Sequence, residues 1–81
     1  MEVDVIIKLK KGVADPEGEN TKKALNLLGF KNVIDVKSMK TFRIEIEGGD
    51  EEEVKKEVEE MCKKLLANPI IHDYMIKVVK E

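Results

Sequence analysis

The stretch Glu2-Val3-Asp4-Val5-Ile6-Ile7-Lys8-Leu9-Lys10 places apolar residues at every second position, Val3, Val5, Ile7 and Leu9. Side chains on a strand point alternately to its two faces, so this pattern demands a half-buried strand that something else must cover. Two helical stretches can supply the cover. Asp15-Pro16-Glu17-Gly18 reads as a helix start, with Asp15 as N-cap, Pro16 at the first helical position and Glu17 beside the positive end of the dipole. The helix runs to about Leu28 with Thr21, Ala24, Leu25 and Leu28 as its inner stripe; Gly29 ends it, and Phe30 supplies the apolar contact of the cap. Gly18 fits poorly, because glycine inside a helix costs about 1 kcal/mol against alanine. Either that turn is irregular or something approaches its backbone closely.

The second helix opens at Asp50, a cap completed by Glu53, with Glu51 and Glu52 adding charge where the dipole favours it. Val54, Val58, Met61 and Leu65 form its buried stripe, and Cys62 and Leu66 widen it. Asn68 suits the left-handed conformation beyond the helix, and Pro69 forbids continuation. Between the helices, Val33–Lys37 and Thr41–Glu47 read as two strands joined by a hairpin turn at Ser38-Met39-Lys40, and Gly48-Gly49 reverses the chain. Asp73–Lys80 is the last strand, with Tyr74, Ile76 and Val78 on one side and Met75, Lys77 and Val79 on the other.

The order β-α-β-β-α-β predicts an α+β fold: a ferredoxin-like two-layer sandwich, an antiparallel sheet with both helices on one face. The opposite face would carry Asp4, Ile6, Lys8, Asp35, Lys37, Arg43, Glu45, Met75 and Val79. An 81-residue chain buries little more than about 60% of its unfolded surface, so a second copy is a natural remedy. Ile6, Met39, Met75 and Val79 are the candidate dimer interface. Pairing could occur through this face, by edge addition, or by exchange of a segment through the loop at Lys11 to Ala14, which would give an intertwined dimer.

With 15 basic and 17 acidic residues interleaved, the chain lacks the basic footprint of nucleic-acid binding, and three aromatics give no stacking platform. No stretch is apolar enough to span a membrane. A single cysteine and a start directly on a strand pattern point to the cytoplasm. Cys62 and His72 could be imagined as nucleophile and base, but Cys62 sits on the buried flank of its helix and a core thiol is the better reading. His72 alone makes no metal site, and capping explains the acidic run Asp50 to Glu53. Phosphate-binding glycine motifs are absent.

Asp15-Pro16-Glu17-Gly18 after the first strand, then Cys62-Lys63-Lys64-Leu65-Leu66-Ala67-Asn68-Pro69-Ile70-Ile71, then Asp73-Tyr74, resemble the PurS family, the small subunit of phosphoribosylformylglycinamidine synthase. The resemblance covers essentially the whole chain. Lys37-Ser38-Met39-Lys40 departs from the basic-x-Gly-Lys turn of that family, and His72 stands where an acidic residue is usual. The resemblance implies a homodimeric subunit with no catalytic residues and no bound cofactor. It would bridge a PurL-type synthetase, which uses ATP and Mg²⁺, and a PurQ-type glutaminase, and assist ammonia transfer in purine biosynthesis. The candidate docking residues are Asp15, Pro16, Glu17 and Gly18 at one turn and Ala67, Asn68, Pro69, Ile70 and His72 at the other corner. The alternatives are a free-standing dimeric ferredoxin-like module that binds a small ligand, and a small enzyme using Cys62.

Overall fold

The structure, a computed structural model, describes residues 1–79. Its elements run β1 (Glu2–Leu9), α1 (Pro16–Leu27), β2 (Met39–Glu45), α2 (Glu51–Met61), a short π-helical turn (Cys62–Leu66) and β3 (His72–Val79). The sheet is antiparallel in the order β2-β1-β3, so the first strand lies in the centre. Lys80, the last residue expected in the final strand, lies outside the described residues.

The alternation of β1 does what it promised. Val3, Val5 and Ile7 are buried, and register puts Ile44, Phe42 and Lys40 of β2 and Val78, Ile76 and Tyr74 of β3 on that same face. Helix α2 lies over it, inserting Val54, Val58 and Cys62 into one core with the three β1 side chains. Asp50 caps this helix as expected, its carboxylate accepting the Glu53 N–H at 2.9 Å.

Where α2 ends, the ladder slips: the Ala67 N–H donates to the Cys62 carbonyl at 3.0 Å, an i to i+5 bond. The added residue rotates the following side chains, so Ala67 is buried while Leu65, expected in the stripe, is 83% exposed. Asn68 also departs from expectation, since among the described residues none other than glycine has positive φ. It ends the helix through hydrogen bonds instead: its side-chain oxygen accepts the Ile70 N–H at 2.9 Å, and its carbonyl accepts the Ile71 and His72 N–H groups at 3.1 and 2.8 Å.

Helix α1 ends as expected, with Gly29 at φ +103° and the Phe30 N–H bonded to the Leu25 carbonyl at 3.0 Å. Its stripe finds no cover, however. Thr21, Ala24 and Leu28 are exposed, Leu25 is half-buried, and Gly18 is the one buried residue of the helix. The return segment Val33–Lys37 forms no strand and Ile34 is 86% exposed, so the expected hairpin is replaced by an arm, residues 16–37, that leaves the sheet. A Cα radius of gyration of 16.0 Å expresses this, against about 12 Å for a compact globule of this length. The α+β class and the antiparallel sheet under α2 stand; a strand over 33–37 would need a neighbour that this single chain does not place beside it.

Candidate functional site

The two corners that sequence reading separates by fifty residues meet at one end of the sheet. β1 leaves this end at Leu9, β2 enters it at Met39 and β3 enters it at His72. A cleft of about 190 Å³ there is lined by Ile7, Leu9, Glu17, Ser38, Lys40, Leu66 and His72, among others, so the start of α1 and the end of the π turn share its walls. On the opposite face a groove of about 900 Å³ gathers Ile6, Met39 and Met75 with Lys8 and Thr41, and Pro69 and His72 also line it. Three of the four candidate interface residues thus form one patch, while Val79 lies at the far end of the sheet, paired with Glu2. Asp35 and Lys37, expected on this face, are off the sheet and joined by an exposed salt bridge of 3.4 Å.

Asp15 does more than cap. Its Oδ1 accepts the Gly18 N–H at 3.0 Å and the Ser38 hydroxyl at 2.6 Å, and its Oδ2 accepts the Ser38 N–H at 2.7 Å. The Ser38 hydroxyl, with the Ser38 and Gly18 amides, stabilises the carboxylate and holds its pKa below the usual range. Gly18 now has a reason: a Cβ there would collide with the Val36 carbonyl oxygen and lie 2.6 Å from Asp15 Oδ2. Of the two readings of Gly18 the close backbone approach holds, since the helix runs unbroken from Pro16 with the Glu19 N–H on the Asp15 carbonyl at 3.0 Å. Ser38 is the member that sequence reading missed. It lies 23 residues from Asp15, with no periodicity to connect them.

At the other corner, the His72 Nδ1 accepts the Asn68 N–H at 2.9 Å, so this imidazole nitrogen is committed to the turn. Pro69 and Ile70 are exposed at this corner, while Ala67 is buried. Lys10 anchors the corner to β1, its N–H donating to the Ile71 carbonyl at 2.8 Å. Cys62 is fully buried, and burial, with Glu59 adding to it, pushes its thiol pKa up, the opposite of what a nucleophile needs. Among the described residues no three His, Cys, Asp or Glu side chains come together in a way that could hold a metal ion. No helix of the described residues is long and apolar enough to cross a membrane.

An antiparallel sheet layered with a helix, two structured corners at one end and an uncovered arm define a small α+β domain of the ferredoxin-like class. Comparison with known proteins identifies its kind. The family model "PurS: Phosphoribosylformylglycinamidine (FGAM) synthase" matches residues 2–80. The PurS subunit of phosphoribosylformylglycinamidine synthase from Methanocaldococcus jannaschii is 66% identical over 76 residues, 94% of this chain and 92% of that one. The crystal structure of PurS from the same organism superposes with a TM-score of 0.89 at 61% identity, covering 99% and 96% of the two chains. A structure of PurLQS from Thermotoga maritima shares the fold, with a TM-score of 0.86 at 24% identity over 94% of this chain and 93% of that one. The chain belongs to the PurS family of phosphoribosylformylglycinamidine synthase.

Proposed function

We propose that this chain is the small, non-catalytic subunit of a cytoplasmic phosphoribosylformylglycinamidine synthase, acting in purine biosynthesis. The observation that carries the reading is near-full-length identity of 66% to a protein named as that subunit. The complex converts formylglycinamide ribonucleotide, glutamine and ATP into formylglycinamidine ribonucleotide, glutamate, ADP and phosphate. Releasing ammonia from glutamine calls for an activated cysteine nucleophile, and activating the amide calls for ATP and Mg²⁺. The one cysteine here is buried with a raised thiol pKa, which leaves the first step to a PurQ-type glutaminase, and we assign the second to a PurL-type synthetase. The role left to this chain is to hold the two in register so that ammonia crosses between their sites unlost, with the Asp15–Gly18 turn and the Pro69–His72 corner as docking surfaces around one cleft.

We further propose that the subunit acts as a dimer by segment exchange. Leu27, Leu28, Phe30 and Ile34 of the arm are exposed, and each would gain about 1.5 to 3 kcal/mol of gross stabilisation on burial. A matching seat lies on β2, where Phe42 and Ile44 share the face of Val5 and Val3 without being fully covered. An arm from one copy on the seat of another, with its 33–37 segment along the free edge of β2, would complete the expected second helix and fourth strand in both copies.

The joint reading is tested by capture of the synthetase and glutaminase of the same organism on this chain, followed by a glutamine-dependent synthase assay with and without it. Capture of both, and turnover that needs this chain, are expected. Turnover independent of it would remove the proposal.

A further inference from the structure

The arm, residues 16–37, leaves the sheet and returns to it at a single point, and the two stalks are tied there by one carboxylate. Asp15 stands before the first residue of α1 and Ser38 immediately before β2, and Asp15 takes hydrogen bonds from both the amide and the hydroxyl of Ser38 while also capping Gly18. The fit at Gly18 closes the joint from the other side, because the Val36 carbonyl oxygen occupies the space a side chain would need. Three charge-assisted bonds and one close backbone contact therefore fix the first turn of α1 against the entry to β2. Beyond this joint the arm has little of its own to hold it, since Gly18 is its one buried residue.

We propose that the Asp15–Gly18–Ser38 clamp is a positioning device for self-association: it holds α1 projecting away from its own sheet, so that the arm reaches a second copy already ordered. This rests on the segment-exchange reading above. A loose arm would have to be ordered at the moment of association, and that entropy would be subtracted from affinity; an arm fixed at its base loses that freedom once, when the chain folds. The clamp residues need not touch the second copy to act in this way.

The test compares wild type with Asp15→Ala, Ser38→Ala and Ser38→Thr by sedimentation across a concentration series, together with amide hydrogen exchange. Ser38→Ala keeps the backbone amide bond and guards against a cap-loss variant that simply fails to fold. Asp15→Ala and Ser38→Ala should raise the dimer dissociation constant by about tenfold or more, given the strength of bonds to a charged acceptor. Ser38→Thr, which keeps the hydroxyl, should stay near wild type. In dilute protein the amides of residues 16–37 should exchange faster in the two alanine variants, while those of α2 stay unchanged. A wild-type dimer whose alanine variants associate equally well overturns the clamp and leaves the exchange reading standing. A wild-type chain that stays monomeric at micromolar concentration overturns both.

Discussion

Asp15 collects three hydrogen bonds on one carboxylate, and its protonation state should be visible in the pH dependence of stability. Its folded-state pKa is lowered, so its contribution is present above the unfolded value of about 3.9 and lost as pH falls through the folded value. Denaturant titrations from about pH 5 to pH 2 should show the wild type losing more stability across that window than Asp15→Asn. Equal losses would mean the amide and hydroxyl partners of the clamp do not distinguish the two protonation states. Sequence reading recognised Asp15 as a cap from its place before Pro16, and recognised Gly18 as out of place. It could not name Ser38 or Val36 as the cause, because both come to Gly18 and Asp15 through the return path of the arm, and no local pattern encodes a path.

Helix α2 and its π turn show what periodicity can and cannot carry. Val54, Val58 and Cys62 follow the helical period and are buried as that period requires. One step further the i to i+5 bond between Ala67 and Cys62 breaks the period, and Leu65 turns outward while Ala67 turns in. Val58→Ala should therefore cost about 1 to 3 kcal/mol, through lost burial and the cavity left behind. Leu65→Asp should change monomer stability by no more than about 0.5 kcal/mol. Urea unfolding of the two variants measures the contrast, and a Leu65→Asp penalty as large as that of Val58→Ala would place Leu65 back in the core. The strand over 33–37 failed for a different reason. Val33, Ile34 and Val36 have the β-branched character of a strand, but a strand also needs a neighbour, and whether one is present is a matter of tertiary path.

At the scale of the molecule, principal extents of 48 × 31 × 14 Å describe a thin body with an extended arm. If the arm is the dimer contact, the double variant Leu27→Asp with Ile34→Asp should abolish association, while leaving α2 and its sheet folded. Sedimentation reads the first and circular dichroism the second; a double variant that still dimerises would shift the contact to the Ile6, Met39 and Met75 face. The sheet topology has a consequence for synthesis. The central strand β1 is made before either of its partners, residues 39–45 and 72–79, and Glu2 pairs with Val79. Every ladder in the sheet closes a long stretch of chain, so loop-closure entropy must be met before any pairing rewards it. While the chain is being made, Val3, Val5 and Ile7 lack their full cover until β3 arrives. The sheet cannot close until β3 has been made, and its apolar central strand is most exposed to mispairing just before then.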